Sequence, residues 1–522
     1  MTIRASQALR ARRPSGQRAP LLALALERDG PEPLHRQLYG QLRELILTGR
    51  LPAGARLPAS RSLAEELGCS RNTVTGAFDQ LLSEGYLEGR VGAGTYVSRE
   101  LPEGLLTAVP ARPVPDAKKR TLKRRLSRRG ERLGTAVRVP LDSDVGPAFA
   151  MSNPDTESFP FDVWGRLLGR IWRRPASGLL RGGDPGGLSA LRAAIAGHLR
   201  AVRGLDCAAE QVLVTAGGQQ ALDLATRVLL DPGDAAWVEE PGYAGLRAAL
   251  AAAGAQAVPV PVDGEGLSLD EGLRRTPEAR LVAVAPSHQY PLGVTMSLAR
   301  RLALLDWAGS CGAWILEDDY DSEYRYAGRP LTALQGLEAA RAGERQVIYV
   351  GSFSKVLFPS LRIGYLVAPP DLTEAFLRAR RALDDHPSAI AQPALAAFIE
   401  EGHFAAHVRR MRRLYAARQT RLLEAAERHL RDLLSLSPDP AGMHLVGYLA
   451  PSLAARMDDL EASRRAAQNG VSARPLSGFY AGPVKQQGLL LGYAGVPDKM
   501  IEPAVERLAA ALVEDSSLGK TD

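Results

Sequence analysis

The chain is poor in the residues that build cross-linked or metal-bound folds. Its 522 residues include three cysteines, Cys69, Cys207 and Cys311, which are far apart in sequence and form no CxxC pair. This spacing argues against a disulfide framework and against a zinc cluster. So few cysteines favour a reducing compartment, and we expect a cytoplasmic protein that binds no metal.

Long apolar runs are also scarce. No run approaches the roughly 20 residues that a membrane-spanning helix requires, so we expect no membrane partner. The N-terminus imitates a signal peptide, because arginines precede the apolar run APLLALAL at residues 19–26. That run is short and leads directly into ERDG, and we interpret it as the approach to a folded domain.

The remaining composition is that of a globular protein. With 45% apolar and 24% charged residues, a chain of this length is expected to form two or three domains. Residues 1–140 carry 25 Lys and Arg against 13 Asp and Glu, whereas the rest of the chain carries 40 against 45. The N-terminal quarter is therefore basic, which favours a polyanion as its partner. A solvated basic tail is the alternative.

Helical periodicity begins near residue 34. The spacing of four apolar residues predicts a first helix, and these are Leu38, Leu42, Leu45 and Ile46. Ser60 is predicted to cap a second helix over SLAEEL, and Ser70 a third that opens on Arg71. Two short helices joined by LGCS predict a helix-turn-helix, and YLEGRVGAGTYVS predicts two strands around a glycine-rich tip.

This segment resembles the winged-helix DNA-binding domain of the GntR family. The family pattern G-x-L-x-x-G-x-x-L-P-S-x-R-x-L-A, followed by S-R-x-T-V, is met almost throughout, with Ala59 as the main departure. The resemblance implies a winged-helix domain over residues 30–98 that binds double-stranded DNA, with the tip from Gly92 to Thr95 against the backbone. The implied DNA-binding residues are Arg61, Arg71, Asn72, Thr73, Thr75, Gly94 and Thr95.

A basic, proline-containing segment follows over residues 99–140. It lacks clear helical or strand periodicity, and AKKRTLKRRLSRRGER within it has nine basic residues and one acid, Glu131. We interpret it as a solvated, self-repelling linker. An accessory arm on DNA is the alternative, and Leu122 and Leu126 hint at one or two helical turns formed on binding.

From about residue 141 to residue 516, apolar strands alternate with helical stretches. The strands are predicted in VLVT, AAWVEE, AQAVPV, ARLVAVAP, AWILEDD, RQVIYVGS and RIGYLVA. This alternation predicts an α/β sheet covered by helices on both faces. Ligands of such sheets collect at the carboxyl ends of the strands, so the residues there are the candidates for a site.

Two of these strand ends suit a flat, phosphorylated ligand. Gly217, Gly218 and Gln219 follow the strand VLVT at the predicted start of a helix, where bare N–H groups bind anions. Tyr243 lies in the turn EEPGYAG, where its ring could stack on a flat ligand. Each signal is weak alone, because Gly-Gly turns and packed tyrosines are common.

Two further strand ends supply charge. Asp318 and Tyr320 follow the apolar residues of WILEDDYDSEY, and a carboxylate there needs a cation or a proton donor. In GSFSKVLFPSLRIGY, Ser352, Ser354 and Arg362 could hold a phosphate. Lys355 lies between them, and a desolvated lysine is a nucleophile toward an aldehyde.

A ring that bears a phosphate, an aldehyde and a basic nitrogen meets all these demands, and pyridoxal 5′-phosphate (PLP) is such a molecule. The motif order over residues 145–515 resembles the fold-type I aminotransferases, which have large and small domains. The resemblance implies that Lys355 forms the internal aldimine and that Asp318 holds the pyridine nitrogen. It implies that Tyr320 binds the ring hydroxyl and Tyr243 stacks on the ring. The implied phosphate ligands are Gly217, Gly218, Gln219, Ser352 and Arg362.

A winged helix, a basic linker and an aminotransferase-like body resemble the MocR/GabR family of transcription regulators. That family implies a homodimer, formed through the aminotransferase-like domain, that places two winged helices on DNA. Two residues depart from working aminotransferases. Tyr290, in HQYPLG, stands where an asparagine is usual, and Leu490, in LLLGYAG, stands where the substrate-carboxylate arginine is usual. Arg474 could replace that arginine or serve as a surface residue.

We therefore predict a PLP-dependent DNA-binding regulator that senses PLP itself, as members controlling vitamin B6 synthesis do. An amino-acid effector is an open alternative. So is an active aminotransferase with an accessory DNA-binding domain, although Tyr290 and Leu490 predict little turnover. A third alternative is a DNA-binding dimer whose C-terminal domain serves only for dimerisation. The presence of Lys355 and Asp318 argues against it, because dimerisation requires neither residue.

Overall fold

The computed structural model describes residues 24–28, 30–90, 93–101, 125–136, 148–151, 153–328, 331–341, 343 and 345–513. The chain divides into two compact units, one ending at residue 123 and the other starting at residue 124. Most of the predicted linker, including Leu122, lies outside the described residues, as does Gly92 in the predicted tip. Within the described residues, no helix is both long enough and apolar enough to cross a membrane.

The first unit is a three-helix winged domain. Its elements are α1 (Leu34–Leu47), α2 (Ser60–Glu66), α3 (Arg71–Ser83), β1 (Leu87–Arg90) and β2 (Gly94–Val97). The predicted apolar stripe of α1 is buried and packs with Leu63, Val74 and Phe78 from the other helices. The two strands pair antiparallel from Leu87 opposite Val97 to Arg90 opposite Gly94, which confirms the predicted wing.

The two predicted helix caps have different outcomes. Ser70 does cap α3, because its side chain accepts a hydrogen bond from the Thr73 N–H at 3.1 Å. The prediction for Ser60 is wrong, because Ser60 is the first residue of α2 and Ala59 holds the cap position without a side-chain bond. The extended backbone needed at a cap falls on Ala59, so the hydroxyl comes one residue too late.

The sequence predicted no regular helix in residues 99–140, and this prediction is wrong for part of the segment. Helix α4 (Arg128–Ala136) forms in this segment, within the second unit. The Ser127 hydroxyl accepts a hydrogen bond from the Gly130 N–H at 3.0 Å, and Glu131 lies in the first helical turn. A capping serine and an acid near the N-terminus are local helix signals that outweigh weak apolar periodicity.

The second unit is built on an eight-stranded sheet. Its strands are β3 (Val212–Thr215), β4 (Ala235–Glu240), β5 (Gln256–Asp263), β6 (Gly266–Leu267), β7 (Leu281–Val284), β8 (Trp314–Asp319), β9 (Val347–Ser352) and β10 (Gly364–Val367). Their order is β3-β10-β9-β8-β7-β4-β5-β6. The pairs among β4, β5, β7, β8 and β9 are parallel, whereas β10 runs antiparallel to both its neighbours.

Helices cover both faces of this sheet, as the alternation of strands and helices predicted. Those before the last sheet strand are α5 (Phe161–Trp172), α6 (Ser189–Arg203), α7 (Gly218–Leu229), α8 (Ala244–Ala253), α9 (Leu269–Arg275), α10 (Leu298–Cys311) and α11 (Leu334–Ala339). Successive strand residues point to opposite faces. Leu316 and Ile348 therefore pack with α7 and α8, whereas Ile315 packs with α10 on the other face.

A smaller antiparallel sheet completes the second unit. Its strands are β11 (Leu434–Ser435), β12 (His444–Leu449), β13 (Arg474–Pro475) and β14 (Gly488–Gly492), in the order β11-β12-β14-β13. The last helices are α12 (Thr373–Asp384), α13 (Gln392–Glu400), α14 (His403–His429), α15 (Pro451–Ala454), α16 (Asp459–Gln468) and α17 (Asp498–Val513). Leu445 and Leu491 of this sheet are buried against α14 and α17.

Candidate functional site

The third helix of the winged domain presents a polar surface at its start. Arg71 and Asn72 are exposed on its first turn, and Arg61 is exposed on α2, where its side chain lies 3.4 Å from Glu65. The hydroxyls of the two threonines already have local partners: Thr73 bonds to Ser70 at 2.9 Å and Thr75 to the Arg71 carbonyl at 3.0 Å. The exposed groups are therefore two arginines and an amide, the donors that bind phosphates and base edges.

Two arginines beside the wing tip were not predicted from the sequence: Arg90 ends β1, and Arg56 precedes α2 and pairs with Tyr96 of β2. Arg90 lies over the Tyr96 ring, 4.5 Å from its centroid. Gly94 has a φ of +108°, and a Cβ there would lie 3.2 Å from the Arg56 Nε atom. Thr95 follows in β2. Arg56 and Arg90 thus flank Gly94 and Thr95. Arg56 occupies a variable position of the GntR pattern, so the resemblance did not single it out.

The residues predicted to bind an anion lie close together at the carboxyl edge of the large sheet. Gly364 at the start of β10 lies opposite both Thr215 and Ser352, at the ends of β3 and β9. This register brings Arg362, which precedes β10, to the first turn of α7. A Cβ on Gly217 would lie 3.3 Å from the Arg362 guanidinium, so glycine leaves the room that the arginine uses. Arg362 itself has a left-handed backbone with φ of 50°, a strained conformation that is typical of functional sites.

The serines of the same edge have unequal roles. Ser352 accepts a hydrogen bond from the Ser354 N–H at 3.2 Å, which orients the turn before Lys355. The Ser354 hydroxyl is buried and has no hydrogen-bond partner among the described residues. A buried hydroxyl without a partner is costly, so this orphan group indicates a place for a ligand oxygen.

Lys355 follows β9 in this turn and is largely buried. Burial lowers the pKa of its amine to about 8, and the nearby charges of Arg474 and Arg362 act in the same direction. Asp321 and Asp318 act in the opposite direction. A lysine with such a pKa is partly neutral near neutral pH and can attack a carbonyl carbon.

Two neighbouring aspartates at the end of β8 have different environments. Asp319 is buried, binds Arg203 at 2.8 Å and accepts a hydrogen bond from Tyr349. Asp318 points to the opposite face, as strand alternation requires, and forms no hydrogen bond with any described residue. Burial raises its pKa to about 7, and the charges of Asp319 and Asp321 add to the effect. Among the described residues, Asp318 has no hydrogen-bond partner, and a bound cation or a protonated ring nitrogen could be its partner.

The aromatic residues of the site form a chain of edge-to-face contacts. Tyr290 has its ring centroid 5.8 Å from that of Tyr320 and 6.2 Å from that of Tyr243. Tyr243 is exposed at the start of α8, and its hydroxyl donates to the Gln219 side chain at 3.1 Å. Gln219 also donates to the Gly245 carbonyl at 2.8 Å, so its side chain positions Tyr243 rather than an anion. Only its backbone N–H remains for that role.

A buried glutamate beside this site escaped the sequence reasoning. Glu239 lies on β4, and burial raises its pKa to about 8. One carboxyl oxygen accepts long hydrogen bonds from the Ala285 N–H and Gln289, each 3.3 Å, and the other has no partner among the described residues. A cavity of about 20 Å³, enough for one water molecule, is lined by Glu239, Asp318 and Tyr243. Glu239 begins the motif EEPGYAG, whose sequence gives no sign that this glutamate is buried.

A buried histidine was also missed. His288 follows β7 and forms hydrogen bonds with Tyr320, Asp321 and Asp439. Its partners are distant in sequence, since Asp439 is 151 residues away, so no local pattern could join them.

The departure at Leu490 has a structural counterpart. Leu490 on β14 is fully buried and lies opposite Arg474 on β13. Residues paired in this way share one face of a sheet, so Arg474 is beside the position where an aminotransferase arginine was expected. The positive charge of Arg474 lowers the pKa of Lys355, so the two groups are near enough to interact.

Two family models match the chain. The model of the gntR family of bacterial regulatory proteins matches residues 34–97, and the model of aminotransferase class I and II matches residues 153–508.

Among curated relatives, the chain is 45% identical to the probable rhizopine catabolism regulatory protein MocR of Rhizobium meliloti, covering 95% of this chain and 97% of that protein. It is 34% identical to the pyridoxine biosynthesis transcriptional regulator PdxR of Corynebacterium glutamicum, covering 90% and 94% respectively.

The solved structures match the second unit. The α-aminoadipate aminotransferase LysN of Thermus thermophilus, complexed with N-(5′-phosphopyridoxyl)-L-leucine, superposes with a TM-score of 0.65 at 30% identity. That match covers 73% of this chain and 96% of LysN. A kynurenine aminotransferase of Pyrococcus horikoshii, in complex with PMP, gives a TM-score of 0.64 at 29% identity over 76% and 96%.

Proposed function

We propose a function from the family to which the chain belongs, that of the GntR-type helix-turn-helix transcription regulators with an aminotransferase class I and II domain. We propose that the protein binds PLP and that PLP binding changes its affinity for DNA. One observation carries the proposal. Asp318, Lys355 and Arg362 converge at one edge of the sheet, in a chain that also has a winged helix. We place this action in the cytoplasm, where the DNA is.

The residues at the sheet edge fit PLP chemically. The first turn of α7, the Ser354 hydroxyl without a partner and the Arg362 guanidinium suit a phosphate. Asp318, which has no hydrogen-bond partner in the described part of the chain, suits a protonated pyridine nitrogen, and Tyr243 offers a ring face. When bound, PLP supplies an aldehyde, and the partly neutral Lys355 amine is the group that would react with it.

The DNA-binding role falls to α3 and the wing. We assign base and phosphate contacts to Arg61, Arg71 and Asn72, and backbone contacts to the segment around Gly94 and Thr95. Thr73 and Thr75 support the helix start, because their hydroxyls are bonded locally. Arg56 and Arg90 join the set as phosphate ligands on the wing.

A homodimer is part of the proposal. Three large apolar side chains of the second unit are exposed: Phe161 at 53% begins α5, Leu180 at 67% follows α5 in sequence, and Ile390 at 65% is on a loop. Trp172 at the end of α5 donates its ring N–H to the Ile390 carbonyl at 3.0 Å, which ties the Ile390 loop to this helix. Exposed side chains of this size favour a protein partner, and a second copy would bring two winged helices to two half-sites.

An amino-acid effector is the second candidate ligand, acting together with PLP. Arg474 favours it, because a guanidinium beside Leu490 and near Lys355 could bind a carboxylate. If PLP alone is the effector, Arg474→Ala should still respond to PLP. Loss of a response to an added amino acid in that variant would identify Arg474 as its anchor.

The proposal is tested by a gel shift on the DNA upstream of this gene, at fixed salt, with and without PLP. We expect PLP to change the affinity or the pattern of retarded bands. Lys355→Ala should bind that DNA as the PLP-free protein does and should not respond to PLP. Lys499→Ala, which removes an exposed lysine, is the matched control and should respond like the wild type. An unaltered response in Lys355→Ala would refute the site assignment.

A turnover assay separates the regulator from an enzyme. The same preparations, given an amino acid and a keto acid, should show little transamination, because Tyr290 and Leu490 replace the usual asparagine and arginine. Steady turnover that Lys355→Ala abolishes would favour the aminotransferase alternative.

A further inference from the structure

His288 lies at the centre of a buried polar cluster behind Tyr320. The side chain is 1% exposed, and its Nδ1 atom is 3.0 Å from both the Tyr320 hydroxyl and Asp321 Oδ2. Its Nε2 atom is 3.3 Å from Asp439 Oδ2. Each ring nitrogen thus faces a carboxylate oxygen.

The two carboxylates determine the protonation of the ring. An ionised carboxylate only accepts hydrogen bonds, so both imidazole nitrogens must donate. Burial lowers the pKa of His288, but Asp321 and Asp439 outweigh burial and raise it to about 10. The other ring that faces it, His444, is 5.6 Å away, and burial lowers its pKa to about 4, so it stays neutral.

Glycines fix the ring in place. A Cβ on Gly442 would lie 2.2 Å from His288 Cε1, and one on Gly293 would lie 2.1 Å from Asp439 Oδ2. Both glycines have a positive φ, and the Gly442 N–H donates to the Tyr324 carbonyl at 3.0 Å. The imidazole therefore has no room to turn away from Tyr320.

A proton on Nδ1 determines what Tyr320 can do. The Tyr320 oxygen can only accept from an Nδ1–H group, so its own proton must be donated elsewhere. We propose that His288, held by Asp321, is a positioning residue that directs the Tyr320 hydroxyl to donate toward the ring oxygen of bound PLP. This inference rests on the proposed function, because PLP must occupy the site beside Asp318.

Two matched Asp→Asn variants of this cluster make different predictions. In Asp321→Asn, Nδ1 loses its carboxylate and with it its proton, whereas the Nε2 proton stays facing Asp439, so Nδ1 accepts a hydrogen bond from the Tyr320 hydroxyl. In Asp439→Asn, Nε2 is the nitrogen that loses its carboxylate, the Nδ1 proton stays facing Asp321, and Tyr320 keeps its direction. Both substitutions remove one negative charge from the same cluster. If only packing or charge mattered, the two variants would therefore behave alike.

The test follows the visible absorption band of PLP bound to the full-length protein as the pH is varied. A hydrogen bond donated to the ring oxygen stabilises its ionised form, so its loss should raise the pH of the spectral transition by about one unit. We expect this shift in Asp321→Asn, His288→Gln and Tyr320→Phe, and no shift in Asp439→Asn. His288→Gln should add nothing when Tyr320→Phe is already present.

Three results would overturn the inference. They are an unshifted transition in Asp321→Asn, an equal shift in both Asp→Asn variants, or fully additive shifts in the double variant. The Asp→Asn pair decides the matter if His288→Gln does not fold. A wild-type protein that takes up no PLP at all would overturn the proposed function and this inference with it, whereas uptake without the expected pattern overturns only this inference.

Discussion

Asp318 and Asp319 are adjacent in β8, and the strand gives them opposite surroundings. Asp319 is 5% exposed and ion-paired with Arg203, which is itself 4% exposed. Asp318 is on the opposite face, where we propose that PLP binds. The sequence predicted that both carboxyl groups lie at the end of this strand. It could not predict which of the two faces the buried side of the sheet, because that depends on which helices cover each face.

This difference predicts separate effects for two equivalent substitutions. Asp319→Asn leaves the buried Arg203 guanidinium without its counter-charge and should cost about 3 kcal/mol of unfolding free energy. Asp318→Asn should change stability little and weaken PLP binding, because the amide cannot hold a protonated pyridine nitrogen. Denaturant unfolding and PLP titration of both variants measure the two effects. Strong PLP binding by Asp318→Asn would contradict the assignment.

Glu239 predicts a pH dependence of stability. Burial raises its pKa from an ordinary value near 4.5 to about 8, so between these values the folded chain holds a proton that the unfolded chain releases. The stabilisation by this proton is fully present below the ordinary pKa near 4.5 and is lost as the pH rises through the folded-state pKa of about 8. Glutamine is neutral throughout, so Glu239→Gln should become progressively more stable relative to the wild type across this window.

Denaturant unfolding at several pH values tests this expectation. Glu424→Gln, which changes an exposed glutamate on α14, serves as the control and should follow the wild-type curve. Parallel curves for Glu239→Gln and the wild type would show that Glu239 is ionised in the folded protein.

At the scale of elements, the predicted strands of the large sheet formed within a few residues of their predicted positions. Strands covered on both faces are apolar throughout, so runs such as VLVT and VIYV identify them without knowledge of their neighbours. Helix ends were harder to predict than strands, because which residue occupies the cap position depends on one backbone angle. The serine of LPASRS was misplaced by one residue, whereas Ser70 was identified correctly. The assignment of ligand-binding residues stays a prediction until a ligand is bound.

The two serines supply a matched pair of substitutions. Ser70→Ala removes the bond to the Thr73 N–H and should cost about 1 kcal/mol. Ser60→Ala removes a hydroxyl that makes no capping bond at α2 and should be close to neutral. Thermal unfolding of the winged domain measures the stability, and a gel shift measures whether fraying of α3 weakens DNA binding. Equal destabilisation by both changes would show that the cap of α3 contributes nothing.

At the scale of the molecule, we propose that the basic N-terminal quarter and the slightly acidic remainder have separate tasks, DNA binding and ligand binding. The sequence alone predicted this division, because charge and periodicity change along the chain. It could not predict the polar cluster around His288, whose members come from three separate segments and meet only when the large and small sheets pack in one unit. Long-range contacts of this kind connect Tyr320, through His288, to the part of the chain that includes Asp439.

Dimerisation gives the last prediction. If the exposed apolar side chains of Phe161, Leu180 and Ile390 form the interface between two copies, Leu180→Asp combined with Ile390→Asp should give a monomer by sedimentation. Because two linked winged helices bind two half-sites with a gain in effective concentration, the monomer should lose at least about 100-fold in operator affinity at fixed salt. Leu298→Asp on α10, where the leucine is 60% exposed, is the control and should remain dimeric. A double variant that remains dimeric would place the interface elsewhere, and a monomer with wild-type operator affinity would show that one winged helix is sufficient for binding.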